Sequence, residues 1–137
     1  MSLTQEECEQ LIAVPKHFKK PNQVCLPQRN NSQDYPLDGD DGNEFLLDYD
    51  RRGSIELKHK AQLREGKFRP IVRLEINGPE HINPDGELIG RNHLHVYREG
   101  YELRWAHEIE VPQTPLAIFS YFCDLCSIEA VSVQDVM

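Results

Sequence analysis

The sequence predicts an α+β fold in which a curved antiparallel five-stranded sheet, or a small open barrel, is flanked by an N-terminal and a C-terminal helix. Apolar residues alternate with polar residues in several stretches between residues 44 and 107, as they do in half-buried strands. Near each end of the chain, a helix-capping pattern precedes apolar residues at helical spacing. The length of 137 residues suits a single domain, here residues 1–137.

The two helices are marked by their capping residues. Thr4 and Glu7 form a capping box, and apolar residues then recur on one face until Pro15 ends the helix. Thr114 followed by Pro115 marks the second start, since proline is favoured at the first helical position. The apolar stripe that follows consists of Leu116, Phe119, Phe122, Cys123 and Cys126. Its aromatic context predicts that both cysteines are small core residues and not half of a zinc site.

Between the helices, the chain divides into a loop and a sheet core. Residues 15–43 are rich in Pro, Asn, Asp and Gly and predict a long surface loop. Residues 44–107 form the predicted sheet core, whose consecutive strands favour antiparallel pairing. The five strands present inward Phe45, Leu47 and Tyr49, then Ile55, Leu57 and His59, then Val72, Leu74 and Ile76, then Leu94 and Val96, and finally Tyr101, Leu103 and Trp105.

The segment 81–105 organises the candidate site. An Asn-Pro-Asp-Gly turn at 83–86 precedes a strand in which His93 and His95 alternate with apolar residues. This alternation places both imidazoles on the polar face, where positions two apart are about 7 Å from each other. We therefore expect an exposed His pair that is close enough to share a metal ion or a phosphate.

Charge is unevenly distributed along the chain. The net charge is −8, but residues 51–107 contain eleven basic and eight acidic side chains, a net of +3, and five of the six histidines. The rest of the chain carries −11. This pattern favours a local anion site over a broad polyanion-binding surface.

Composition also indicates where the protein acts. The longest apolar runs fall well short of the roughly 20 residues that a membrane helix needs, and the acidic N-terminus has no signal-peptide pattern. The four cysteines, at positions 8, 25, 123 and 126, suit a reduced compartment better than a disulfide framework. A cytoplasmic protein is expected.

Arginines interleaved with the histidines favour a metal-free anion site directed at RNA or another phosphodiester, in the style of small toxin-like endoribonucleases. His93 or His95 would act as acid or base, and Arg73 or Arg64 would stabilise charge that develops on the phosphate. The predicted catalytic residues are His93, His95, Arg73 and Tyr97, and the predicted substrate-binding residues are His81, Asp85, Arg64, Gln62 and Arg91.

The spacing His93-x-His95-x-x-x-Glu99 resembles the first cupin motif. In cupins, two His and a Glu ligate iron, manganese or similar ions, so the resemblance implies a metal site at His93, His95 and Glu99. The glycines that flank the cupin motif are replaced here by Glu87 and Ala106.

More broadly, the run 68–105 resembles a group of small uncharacterised bacterial and phage-associated proteins. They share an Arg-Leu-Asp/Glu strand, a His-x-Asn-Pro-Asp-Gly turn and a His-x-His-x-Tyr strand, which stand here at 73–75, 81–86 and 93–97. The resemblance implies a bacterial or phage-associated protein and no particular activity.

Three function hypotheses follow. The first is the anion site with RNA or another phosphate-bearing ligand as its partner. The second is the cupin-like metal site, with His81 as an alternative third ligand to Glu99. The third is a non-enzymatic interaction protein whose acidic surface binds a basic protein partner or mimics a polyanion. Positive charge beside the histidines disfavours cation binding, so the sequence favours the first hypothesis; it identifies no cofactor.

Overall fold

A computed structural model of the chain describes residues 2–53, 56–111 and 114–135. The helices are α1 (Gln5–Ala13) and α2 (Pro115–Leu125), with a short 3₁₀ turn at Pro21–Gln23. The strands are β1 (Lys16–Phe18), β2 (Cys25–Leu26), β3 (Asn31–Gly39), β4 (Glu44–Arg52), β5 (Lys58–Glu65), β6 (Arg69–Ile76), β7 (His81–Ile82), β8 (Leu88–Ile89), β9 (His93–Val96), β10 (Ala106–Glu108) and β11 (Gln134–Asp135).

Seven strands form one open antiparallel sheet in the order β1-β3-β4-β5-β6-β9-β10. The α+β class, the antiparallel pairing and the two terminal helices are therefore confirmed, and the predicted count of five strands becomes seven. Two small pairs accompany the sheet: β2 with β11 in parallel, and β7 with β8 as a hairpin.

The predicted surface loop at 15–43 is wrong, because this segment contains the short strands β1 and β2 and the nine-residue strand β3. Tyr35 and Leu37 alternate with polar residues and are buried, as in any half-buried strand. Pro36 lies between them, and its carbonyl accepts a hydrogen bond from the Lys19 N–H. Its missing N–H faces the same side, where β1 has already ended at Phe18, so β3 loses no ladder bond to β1 there.

The return strand predicted at 101–105 is also wrong, because β10 begins only at Ala106. The carbonyl of Arg98 accepts hydrogen bonds from the N–H groups of Tyr101 and Glu102, which close a turn. Gly100 and Glu102 adopt positive φ angles of 84° and 55°, which are incompatible with a strand. Residues 98–105 therefore form a compact loop.

Both helices begin where their caps predict. Thr4 and Glu7 form the full capping box of α1, and the Thr114 side chain accepts the Ala117 N–H in the first turn of α2. Phe119 of α2 packs against aromatic rings of the sheet's apolar face, namely Phe18, Tyr35 and Tyr49. The four cysteines are free, and Cys123 and Cys126 are buried as predicted.

Core positions largely follow the predicted alternation. Val72, Leu74 and Leu94 are buried, whereas Val96, Leu103 and Trp105 are half-buried. The predicted core position Ile55 lies outside the described residues. No helix among residues 2–53, 56–111 and 114–135 is long and apolar enough to cross a membrane.

Candidate functional site

The site lies on the polar face of the sheet, where β6 runs beside β9. Their register pairs Glu75 with His93 and Arg73 with His95. Because alternate residues of a strand share a face, Glu75 joins the two imidazoles, and Leu74 points to the core. Glu75 is absent from the predicted site, although its alternation with Leu74 was a signal that placed it on the polar face of β6.

Glu75, His93 and His95 form the group that we call the Glu75 cluster, whose nearest side-chain N and O atoms all lie within 4.8 Å of one another. His93 places Nδ1 2.6 Å from the Gly90 carbonyl oxygen and Nε2 2.8 Å from Glu75 Oε2. His95 places Nδ1 2.7 Å from the Leu103 carbonyl oxygen and Nε2 3.2 Å from the same Oε2. Both rings thus turn Nδ1 to the backbone and Nε2 to one carboxylate oxygen.

The cluster attracts positive charge. Hydrogen bonds from His93 and His95 hold the pKa of Glu75 well below its usual range, so its carboxylate is ionised. Burial of His93 disfavours its imidazolium form, but the hydrogen bonds to Glu75 and to the Gly90 carbonyl outweigh burial and raise the pKa of His93. A proton between His93 Nε2 and Glu75 Oε2 is therefore favoured.

The expectation that the His pair is exposed is wrong. His93 is completely buried, His95 is 4% exposed, and the side chain of Glu75 is 21% exposed. The His81 ring packs against both imidazoles on this face, and the loop 98–105 reaches His95 through the Leu103 carbonyl. Glu75 is the member of the cluster that solvent reaches.

The β7–β8 hairpin is docked onto β10 by the side chain of Asn83. Its Nδ2 donates to the Ala106 carbonyl and its Oδ1 accepts the Ala106 N–H, both at 2.9 Å. The hairpin turn is closed by the Gly86 N–H, which donates to the Asn83 carbonyl, with Gly86 at a φ of 90° that favours glycine. The Asn-Pro-Asp-Gly segment therefore fixes the hairpin over the imidazoles.

The hairpin also brings His81 to the cluster, as the sequence predicted. The His81 ring centroid lies 4.7 Å from that of His95 and 5.8 Å from that of His93. Its Nε2 is 2.8 Å from the Arg104 carbonyl oxygen. The loop 98–105 thus supplies the carbonyl groups that orient both His81 and His95.

Three predicted site residues lie elsewhere. Tyr97 is buried in the core, and its hydroxyl accepts the Leu3 N–H. Asp85 is exposed and caps its own turn by accepting the Glu87 N–H. Glu99 accepts the backbone N–H of the first residue of α1, so the third ligand expected from the cupin resemblance is held at that helix.

Two of the predicted anion-binding arginines are neutralised by carboxylates. Arg64 holds Asp48 through Nε at 2.7 Å and Nη2 at 2.8 Å. Arg91 pairs with Glu56 and donates further to backbone carbonyl groups. Neither guanidinium is directed at the Glu75 cluster.

Arg73 and Gln62 do lie on the same face as the imidazoles. Arg73 stands next to His95 in the register, and its Nε donates to Gln62 Oε1 at 2.8 Å. Both side chains are half-buried. They line the sheet beside the cluster and bond to each other.

The chain belongs to a family of unknown function, DUF6978, whose match covers residues 3–128. No curated protein and no solved structure matches the chain. The family is consistent with the uncharacterised group that the central motifs resemble, and the bacterial or phage origin of that group stays a prediction for this chain.

Proposed function

We propose that this member of the DUF6978 family binds one divalent transition-metal ion through Glu75, His93 and His95, in a site of the catalytic type. The observation that carries the proposal is the convergence of two Nε2 atoms on one carboxylate oxygen, at 2.8 and 3.2 Å. The metal hypothesis drawn from the sequence is kept, with Glu75 in the place of Glu99.

The backbone determines which ring nitrogens carry hydrogen. A carbonyl oxygen only accepts, so the contacts of Nδ1 with Gly90 and Leu103 require an N–H at Nδ1 in both rings. In a neutral imidazole the Nε2 atom then carries a lone pair, and here it faces a carboxylate that also offers lone pairs. Two protons would satisfy His93 and His95 only by burying two imidazolium ions. One divalent cation satisfies all three groups at once.

The two distances from Glu75 Oε2 to the imidazole nitrogens suit a metal, and the three ligand atoms together span up to 4.8 Å. Two atoms that each lie about 2.1 Å from a tetrahedral ion are about 3.4 Å apart. The 3.2 Å contact of His95 with Glu75 is close to this value, and the 2.8 Å contact of His93 needs only a small opening. Rotation of the half-buried Glu75 side chain supplies that adjustment.

The surroundings of the rings also resemble those of ligating histidines. Such histidines generally donate their second ring N–H to a carbonyl or carboxylate, which fixes the ring and raises its basicity as a ligand. Gly90 and Leu103 do this for His93 and His95. The contact of His81 with the Arg104 carbonyl is of the same kind.

Three protein ligands leave a coordination position for water or substrate, which separates catalytic from structural sites. The set of two imidazoles and one carboxylate is used by zinc hydrolases and by non-haem iron enzymes. When bound, such an ion supplies Lewis acidity. The anion hypothesis receives less support, because the centre of the site is a carboxylate and Arg64 and Arg91 are paired.

Metal binding to the purified full-length protein tests the proposal. Elemental analysis and calorimetric titration with Zn²⁺, Fe²⁺ and Mn²⁺ should find about one equivalent of one ion. Glu75→Gln and His95→Gln each remove a donor with little change in volume, and should weaken affinity by at least about 100-fold.

Two matched controls separate ligation from general effects of substitution. His59→Gln changes another buried imidazole, which bonds to Tyr49, and Glu65→Gln changes another partly buried carboxylate, which pairs with Arg69. Both should retain wild-type affinity if circular dichroism shows them folded. Unchanged metal affinity in folded Glu75→Gln would refute the proposed ligand set.

A further inference from the structure

We infer that the groove beside Glu75 is a subsite for an oxyanion, a phosphate or carboxylate group on a small ligand, next to the proposed metal ion. The groove has a volume of about 210 Å³, and the charged side chains that line it are Asp50, Arg52, Lys58, Lys60 and Glu75. We call it the Lys60 groove. This inference rests on the proposed metal site, whose ligand would carry a phosphate or carboxylate group.

The sheet register aligns the groove with the Glu75 cluster. One transverse row of the polar face runs from Asp50 through Lys60 and Glu75 to His93. Lys60 is therefore the direct neighbour of Glu75 on β5, on the side away from the imidazoles. Glu75 is shared, since it belongs to the cluster and also forms part of the groove wall.

Three cationic side chains line this groove, and two of them are available to a ligand. Arg52 donates to the Asn30 carbonyl and to Ser32 Oγ. Lys58 and Lys60 are exposed, and across residues 2–53, 56–111 and 114–135 neither forms an ion pair or a side-chain hydrogen bond. Two ammonium groups at the edge of a groove attract an anion and suit phosphate as point charges.

Charge and size define the ligand. If Glu75 binds the divalent metal ion, Asp50 is the one other acidic side chain that lines the groove. The three cationic side chains then give the groove a net positive charge. A drug-sized ligand needs a pocket of about 300–1,000 Å³, so about 210 Å³ suits a compact anionic group. An oxyanion held by Lys58 and Lys60 would place the remainder of the ligand towards Glu75 and the metal.

The experiment is a titration of the zinc-loaded protein with inorganic phosphate and, separately, with acetate, followed by backbone amide chemical shifts. The variant Lys58→Glu/Lys60→Glu reverses both free charges of the groove. Lys67→Glu is the control, because Lys67 is exposed and lies beyond the opposite end of β5. Zinc content is measured for each protein, and the same titrations are repeated after the metal is removed with a chelator.

The inference predicts that phosphate or acetate shifts amides of 58–60 and 75–79 in the zinc-loaded wild type. The ligand that binds more tightly identifies phosphate or carboxylate as the preferred group. Its affinity should fall roughly tenfold or more in the double variant, with wild-type affinity in Lys67→Glu and full zinc content in all three. Lys60→Ala serves as a milder replacement if the double variant is unfolded.

Two failures are distinguishable. Equal anion affinity in the wild type and in the zinc-loaded Lys60 variants would overturn the subsite and leave the metal site standing. A wild-type protein that takes up no metal would refute the proposed function. In that case, a subsite next to a metal ion is refuted as well. The titration of metal-free protein would then show whether Lys58 and Lys60 bind anions by themselves.

Discussion

Two buried polar groups of this protein differ in whether their hydrogen bonds are complete. Lys16 is fully buried, and its Nζ donates to the carbonyl groups of Ile12 and Val14 at 2.9 Å and of Cys126 at 2.7 Å. An ammonium group has three donors, and all three find an acceptor. In the Glu75 cluster, the Nε2 atoms of neutral imidazoles meet an acceptor carboxylate, so these contacts need an added proton or metal ion.

The difference indicates what each group does. Lys16 places a positive charge at the C-terminal ends of α1 and α2, where the helix dipoles favour a cation. Lys16 links the two helices, and this structural role requires no added ion or ligand. The Glu75 cluster is complete only when a cation is added, which is why we interpret it as a binding site.

The largest effect is expected at Lys16. Lys16→Met removes the ammonium and leaves one buried and two partly buried carbonyl groups without their donor, which should lower the free energy of unfolding by about 3–5 kcal/mol. Lys19→Met is the control, because Lys19 makes exposed ion pairs that are worth about 0–1 kcal/mol. Urea denaturation measures both, and equal losses would contradict the structural role of Lys16.

Leu74 and its chain neighbour Glu75 allow core packing and metal binding to be tested separately on strand β6. Leu74 is fully buried in the core, so Leu74→Ala should lower the free energy of unfolding by about 2–5 kcal/mol. Zinc stoichiometry of the folded variant should be unchanged. If Leu74→Ala abolished zinc binding in folded protein, the two faces of β6 would not be independent.

Asn83 tests the hairpin that covers the imidazoles. Asn83→Ala removes both hydrogen bonds to Ala106 and leaves buried backbone groups unpaired, which should cost about 1–3 kcal/mol. Hydrogen exchange at residues 81–89 should accelerate because the hairpin loses its anchor. Unchanged exchange there would show that other contacts hold the hairpin.

The smallest expected effect concerns pH. The pKa of His93 in the folded protein is raised above the ordinary value of 6.5, so its stabilising contribution is present below about pH 6.5 and is lost as pH rises through the raised pKa. Metal ligation instead requires a deprotonated Nε2. Zinc should therefore raise the melting temperature more at pH 8 than at pH 6, as differential scanning calorimetry would detect. An equal rise at both pH values would contradict ligation by His93.

Much of the fold could be predicted because local rules agree with it. The caps at Thr4 and Thr114 and the alternation in β4, β5, β6 and β9 correspond to the helices and the sheet core. Strand β3 escaped prediction because Pro36 resembles a loop residue, and only the end of β1 explains why it is tolerated. That information is not local.

The candidate site was predicted only where local sequence patterns determine it. Alternation placed His93 and His95 together, and the turn brought His81 near them. Glu75 enters the site through the pairing of β6 with β9, two strands separated by the whole hairpin, and spacing along the chain does not reveal that register. Glu99 has cupin-like spacing, and its carboxylate accepts the Gln5 N–H at the start of α1.

X-ray absorption spectroscopy at the zinc edge of the loaded wild-type protein tests the central claim most directly. The account predicts two imidazole nitrogens at about 2.0–2.1 Å, with an oxygen of Glu75 at about 2.0–2.2 Å. Glu75→Gln should lose this spectrum, and Glu65→Gln should keep it. A spectrum of zinc surrounded by water oxygens or sulfur, without imidazole scattering, would contradict the account.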